Sequence, residues 1–304
     1  MSVISDKLRK EFGEGDAKRD AGLKTPEDIE RSDDISYGEH PKWNLLDVYR
    51  LKSKKGQKLP VIAIVHGGGW VYGDKEVYQY YGMSLAQRGF AVVNFSYRLA
   101  PEYKYPSAIE DICAAFRWIY ANAEEYGLDT DNIFAVGDSA GAHLLSMFSC
   151  LITNKKFLKE MKKEYPKACF DLPKGMHLNA VALNCGKYDL EKDKDKDEKS
   201  VDLIKDFLEH GGTEEEMRLV NGVDHVTGKF PPAFVMTCPG DFLKSQAKYI
   251  VNKLNKKEVP FCYRYYGDKK NKLHHVFHCN TRLEEAVKCN DDECGFFKEW
   301  IQTS

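Results

Sequence analysis

Gly137-Asp138-Ser139-Ala140-Gly141 sets a serine between two glycines at the G-x-S-x-G spacing, after the apolar run Ile133 to Val136 and before Ala142-His143-Leu144-Leu145. A serine on a sharp strand-to-helix turn exposes its hydroxyl, and glycine is needed on either side because a side chain there would collide with neighbouring backbone. The chemistry this allows is nucleophilic attack on a carbonyl carbon. A serine hydroxyl is a weak nucleophile at neutral pH, so the reading requires a base for its proton and a carboxylate to orient that base. It also requires amide N–H groups aimed at the charge that develops on the carbonyl oxygen. His66-Gly67-Gly68-Gly69-Trp70 follows an apolar stretch about seventy residues earlier and offers amides that no side chain obstructs. Gly68 and Gly69, with the amide of Ala140, are the candidate oxyanion hole. The glycine run continues into neither G-K-[ST] nor G-x-G-x-x-G, so a phosphate cradle is not expected.

Residues so far apart in the chain need elements that deliver their loops to one edge. Strand-like stretches fall at 43–49, 60–66, 90–95, 133–138, 179–185, 231–237 and 260–266. Helical stretches run between them, at Lys75 to Arg88, Pro106 to Tyr126, 245–257 and 281–302. Val61 to Val65 is apolar without alternation, as a central strand covered on both faces should be. The alternation predicts an α/β fold with a mostly parallel sheet flanked by helices. No repeat or linker divides residues 1–304, so a single domain is expected. Residues 1–40 are polar with little periodicity and read as a surface arm, and 201–229 read as a helical insertion suited to a lid. The lysine-rich stretch Asn154 to Lys174 reads as irregular, and the charge alternation Glu191 to Lys199 as a solvated loop.

On such a sheet the carboxylate and the base follow the serine in that order, on loops at the carboxyl ends of later strands. Asp241 lies just past strand 231–237 and is preferred to Asp189, Asp224 and Asp268. His274, His275 and His278 lie past strand 260–266, and position alone leaves all three open.

Composition removes other classes. Lys+Arg 45 against Asp+Glu 47 leaves no field to hold nucleic acid or an anionic membrane. The nine cysteines are odd in number and scattered, which suits reduced thiols; the closest pair, Cys289 and Cys294, lacks the second pair or nearby histidine that a zinc site needs. Met1 to Lys18 has no apolar core of a secretory leader, and no 18-residue apolar run is present. A soluble protein in the reducing cytoplasm is expected.

His66-Gly67-Gly68-Gly69-Trp70, Tyr97-Arg98-Leu99-Ala100-Pro101-Glu102, Gly137-Asp138-Ser139-Ala140-Gly141, Asp241-Phe242-Leu243 and His275-Val276-Phe277 together resemble the hormone-sensitive lipase branch of the α/β-hydrolases, over roughly residues 43–300. The resemblance implies the α/β-hydrolase fold and a serine carboxylesterase acting on small-molecule, short-chain acyl esters. It implies no cofactor or metal, and a cap built from the N-terminal arm and the insertion, here about 1–40 and 187–229. It selects His275 as the base, because the family's base stands one small residue before a phenylalanine. It makes His66 a brace for the oxyanion loop, and Tyr97, Arg98 and Glu102 structural supports. His143 falls on the helix after the serine; His40, His177, His210 and His225 read as surface or loop residues. The chain departs from the family at Lys244 and Ser245, where acidic residues are frequent, and at Val276, where glycine is common. Related enzymes cleave acetyl groups from carbohydrates or an activated formamide, and some relatives that have lost the base only bind ligand. Trp70, Tyr72 and Tyr188 are candidates for the substrate pocket wall.

Overall fold

The computed structural model describes residues 2–191 and 198–303. In chain order its elements begin with α1 (Val3–Asp20), β1 (Ile29–Ser36), β2 (Leu45–Leu51), β3 (Leu59–Val65), α2 (Lys75–Ala86), β4 (Ala91–Phe95), α3 (Ser107–Ala121) and α4 (Ala123–Tyr126). They continue with β5 (Leu128–Asp138), α5 (Ala140–Thr153), α6 (Lys155–Glu164), β6 (Ala180–Asn184), α7 (Glu198–Phe207), α8 (Glu214–Val220) and α9 (Gly222–His225). The chain then forms β7 (Ala233–Thr237), α10 (Ala247–Lys256), β8 (Phe261–Tyr265) and α11 (Glu284–Lys298).

The strands form one eight-stranded sheet in the order β1-β2-β4-β3-β5-β6-β7-β8. β1 and β2 are antiparallel to their neighbours, and β4 through β8 run parallel. The unbroken apolar run of β3 is explained by its place. Val61, Ala63 and Val65 turn toward the layer of α3 and α5, with Ile112, Phe116 and Phe148, whereas Ile62 and Ile64 turn toward α2 and α11, with Met83 and Phe297. A strand with apolar packing on both faces has no use for alternation. Because β4 lies on one side of β3 and β5 on the other, the loops that leave β3 and β5 part in opposite directions above the sheet. The crevice at such a switch point is where open parallel sheets bind ligands.

Two stretches are more ordered than composition suggests. Residues 1–40 supply the 18-residue helix α1 and the edge strand β1, which pairs with β2. Of the stretch 1–40 that the resemblance assigns to a cap, residues 29–36 belong to the sheet. The lysine-rich stretch after Thr153 contains α6, whose N-cap Asn154 accepts from the amides of Lys156 and Phe157. Only Phe157 and Met161, one turn apart, are buried there, so two apolar anchors hold a helix that otherwise faces water. Of the charge alternation 191–199, residues 192–197 lie outside the described residues. No described helix is long and apolar enough to cross a membrane.

α1 is fastened to the body by an arginine at each end. Both terminal nitrogens of Arg9 reach the Glu102 carboxylate, at 2.7 and 2.6 Å, and the same guanidinium donates to the carbonyls of Val71 (2.8 Å) and Ala100 (3.0 Å). Arg19 donates to the Val77 carbonyl at 2.7 Å, and Arg282 donates to the carbonyls of Arg19 and Ala21. A planar fork that matches a carboxylate and two carbonyls cannot be replaced by a flexible apolar chain. Arg9→Met is therefore expected to speed tryptic cleavage within residues 1–24 while leaving the unfolding temperature of the body nearly unchanged, as limited proteolysis beside calorimetry will show.

Candidate active site

β5 ends at Asp138 and α5 begins at Ala140, so Ser139 makes the whole turn, at φ 52° and ψ −118°. Few non-glycine residues adopt such a backbone, and holding one there costs about 1–3 kcal/mol that the surroundings must supply. The surroundings are tight. A β-carbon on Gly141 would lie 2.1 Å from the Val65 carbonyl oxygen and 2.4 Å from that of His66; one on Gly137 would lie 2.7 Å from the Gly141 oxygen. Both glycines of the motif are thus required by contact distance. Ala140 opens α5, where amides have no acceptor within the helix.

The loop after β3 presents the glycines. Gly68 has φ +116°, and a β-carbon there would fall 2.0 Å from the Tyr72 carbonyl oxygen; Gly69 has φ +61°. The Gly67 amide donates to the Tyr78 hydroxyl (2.8 Å), which donates to Asp138 Oδ2 (2.8 Å), so the loop and the serine turn share one short hydrogen-bond chain. The Gly67 amide is thereby committed, although Gly67 lines the cavity together with Gly68 and Gly69. His66 stacks on Tyr97 (centroids 3.9 Å apart, 9° between planes), and the Tyr97 hydroxyl donates to the His66 carbonyl at 2.7 Å. Arg98, the next residue, pairs with Asp111 of α3 at 2.8 Å.

Asp241 and His275 come from the loops after β7 and β8. Gly240 and His274 form a bridge, with the Gly240 amide donating to the Leu273 carbonyl at 2.8 Å, and this pins the two loops together. His275 Nδ1 donates to Asp241 Oδ1 at 2.7 Å. The Leu243 amide reaches the same oxygen at 2.8 Å, and the Thr237 hydroxyl reaches Oδ2 at 2.6 Å. Burial pushes the Asp241 carboxyl up, but the bond and charge of His275, with the two further donors, hold it below the usual carboxylate range. The imidazole is left with Nε2 free of the carboxylate. Val276, the departure from glycine, sits at φ 52° in the left-handed region.

Ser139, His275, Gly68, Gly69 and Ala140 line one cavity of about 430 Å³. Of the other histidines in the cluster, His274 is exposed, and His278 is buried edge-on against Tyr81, with its ring centroid 5.0 Å away. Neither lines the cavity, nor do Asp189, Asp224 and Asp268. Trp70 and Tyr72 form part of its wall; Tyr188 does not. Tyr188 is 1% exposed and donates its hydroxyl to the Leu183 carbonyl at 3.0 Å, because the turn at Gly186 folds it under the loop after β6. His225, read as a surface residue, is buried and stacked on Phe157 at 4.0 Å. The wall also contains Leu8 and Phe12 of α1, Leu203 and Ile204 of α7, and Phe242. The four-residue spacing of Leu8 and Phe12 marked an apolar face on α1, but nothing in the sequence pointed that face at the serine.

Burial sets the charge of the groups behind the cavity. The imidazoles of His66 and His143 are pushed down to about 4, and that of His278 to about 3. Burial pushes Asp138 up to about 6 and Glu293 up to about 7. Neutral His143 fits its partners: Nδ1 accepts from the Trp70 indole at 3.2 Å, and Nε2 donates to the Val220 carbonyl at 2.7 Å. Among the described residues, two clusters gather possible metal ligands: Cys185 with Asp241 and His275, and Asp138 with His278 and Cys279. In each the carboxylate is already engaged, by His275 or by Tyr78, and burial keeps the thiol protonated. These groups suit proton transfer and packing better than metal coordination.

A serine on a strained strand-to-helix turn of a mostly parallel sheet, in one cavity with a glycine loop and with the histidine of a histidine–aspartate pair, defines an α/β-hydrolase. The chain belongs to the BD-FAE family, whose profile matches residues 46–253. It is 31% identical over 212 residues to esterase LipC of Mycobacterium tuberculosis, covering 66% of this chain and 49% of that protein. It is 27% identical over 226 residues to the versiconal hemiacetal acetate esterase of Dothistroma septosporum, covering 72% and 67%. The chain spans about half the length of LipC and of esterase LipQ from the same bacterium. Esterase B of Lactobacillus rhamnosis has the same fold, with a TM-score of 0.85 at 23% identity over 98% of this chain and 97% of that one.

Two outcomes follow from the burial of these groups. Below pH 6.5 the unfolded chain takes up a proton on His143 that the folded chain refuses until about 4, so stability falls across that window by up to about 1.4 kcal/mol per pH unit. His143→Gln keeps an acceptor for Trp70 and a donor for Val220 and should flatten the acid limb of urea-unfolding stability by about 3 kcal/mol. The raised carboxyls of Asp138 and Glu293 pull the other way in both proteins and cancel in the comparison. Tyr188→Phe should lower stability by about 1 kcal/mol through loss of its hydrogen bond, with kcat/KM unchanged, whereas a wall residue would alter kcat/KM.

Proposed function

We propose that the protein is a serine carboxylesterase that hydrolyses short-chain acyl esters. The observation that carries this reading is the 2.7 Å contact of buried Asp241 with His275, the imidazole that lines the same cavity as Ser139 at its strained turn. Ser139 Oγ attacks the ester carbonyl while His275 Nε2 takes its proton. The carbonyl oxygen becomes an alkoxide held by the amides of Gly68, Gly69 and Ala140. Asp241, kept ionised by its donors, fixes the Nδ1–H tautomer and stabilises the imidazolium. His275 returns the proton to the departing alcohol, then activates the water that releases the acid and restores Ser139. A cavity of about 430 Å³, lined in part by α1 and α7, has room for an acetyl-to-butanoyl ester. That BD-FAE membership is accompanied by relatives named as esterases supports the reaction class.

The test is kcat/KM for p-nitrophenyl esters from acetyl to dodecanoyl, with Ser139→Ala as the blank. A maximum between acetyl and butanoyl is expected. Ser139→Ala should cost about 10⁶ in kcat, and Asp241→Asn, which leaves the imidazole in the wrong tautomer, about 10⁴. Turnover by Ser139→Ala within tenfold of the native protein would rule the assignment out. Failure of an organophosphate to label Ser139 in the native protein would point to a ligand-binding role instead.

A further inference from the structure

Phe242 directly follows the triad carboxylate in sequence, and it is 71% exposed. Among the described residues that line the serine cavity it is the one large apolar side chain left in solvent. Its ring lies 4.2 Å from the His275 imidazole, centroid to centroid, at 41° between planes. An exposed apolar side chain that lines a ligand-sized cavity offers surface that a bound ligand can cover.

The reaction geometry says which part of the ligand that is. Asp241 occupies Nδ1 of His275, so proton transfer uses Nε2. The carbonyl oxygen is drawn toward Gly68 and Gly69, on the side where Leu203 of α7 comes within 4.0 Å of the place a Gly69 side chain would begin. The departing oxygen must instead lie at His275, because that imidazolium donates the proton as the C–O bond breaks and the neutral alcohol leaves, with the acyl group retained on Ser139 Oγ. Whatever is attached to that oxygen leaves beside the imidazole, whose ring centroid lies 4.2 Å from that of Phe242.

We propose that Phe242 is the contact surface for the alcohol half of the ester, and that the substrates of this site carry an apolar ring on the leaving group rather than a polyol or sugar. The proposal rests on the carboxylesterase reading and names its substrate class. It separates the two halves of the cycle. In acylation the alcohol lies on Phe242; in deacylation water gives a proton to His275, its oxygen bonds to the acyl carbon, and Ser139 Oγ leaves with that proton. No alcohol is present in the second half, so Phe242 has no part of the substrate to touch.

The experiment compares benzyl acetate, methyl acetate and glycerol monoacetate, which share one acyl group, on the native protein, Phe242→Ala and Phe242→Tyr. The deacylation rate is read from the steady state that follows the p-nitrophenyl acetate burst. Phe242→Ala should lower kcat/KM for benzyl acetate about tenfold, keep the other two esters within roughly twofold, and leave deacylation unchanged, while Phe242→Tyr keeps the benzyl preference. Equal losses on all three esters together with slowed deacylation would make Phe242 a support for the imidazole and overturn the proposal. A native preference for the glycerol ester, or no loss in Phe242→Ala, would also overturn it. If the native protein turns over none of these esters and an organophosphate does not label Ser139, the carboxylesterase reading falls and takes the proposal with it.

Discussion

The approach of α5 to the end of β3 is the constraint on which the site depends. With hydrogen as its side chain, Gly141 lets the first turn of α5 lie against the carbonyls of Val65 and His66, where a β-carbon would be 2.1 and 2.4 Å away. That contact bends the chain sharply enough to push Ser139 to φ 52° and lift its hydroxyl off the sheet. It also brings Ser139 beside the glycine loop that leaves β3. The strain at Ser139 persists because the sheet on one side and α5 on the other over-determine the turn.

From that contact the polar scaffold extends outward in short steps. Tyr78 ties the Gly67 amide to Asp138, so the glycine loop and the serine turn are coupled. After β4, Tyr97 holds the loop through the His66 carbonyl, Arg98 pairs with Asp111 of α3, and Glu102 anchors α1 through Arg9. The YRLAPE stretch thus serves position rather than chemistry: its hydroxyl and charges are spent on backbone carbonyls, on Asp111 and on the N-terminal helix. Behind the cavity the same economy keeps His66, His143 and His278 neutral, since each is wholly enclosed and a charge there would have no solvent to meet.

The pair at Asp241 and His275 is built differently, from two loops at the far half of the sheet. A single bridge between Gly240 and His274 sets their spacing, and Val276 accepts a left-handed backbone to turn the imidazole into the cavity. The valine is compatible with the turn because its neighbours hold the conformation, although glycine would adopt it with less strain. His274 and His278 lie within three residues of His275 yet face solvent and core respectively. Adjacent positions on a tight turn point in different directions, and only the turn's dihedrals decide which one meets the aspartate.

Much of this was legible before folding. The alternation of apolar runs with helical stretches marked the parallel strands and the helices between them, because burial on both faces of a parallel sheet leaves a signal in single residues. The serine, the glycine loop and Asp241 were legible for a similar reason: close backbone approach demands glycine, and loops that carry functional groups follow strands. Choosing His275 from the residues alone was not possible and needed the family resemblance. What the tertiary structure decided are the features that depend on long-range contact. α1 has few apolar residues, and its placement over the serine rests on Arg9 meeting Glu102, 93 residues away. α6 is a helix on the strength of two buried side chains, and β1 is a strand because the β2 edge was open to it. Tyr188 left the expected wall because its hydroxyl found a buried carbonyl, and Phe242 joined it because the His275 ring lies against its own. An aromatic residue reads the same in sequence whether it ends in a core, on a wall or at a rim; only the packing around it distinguishes the three.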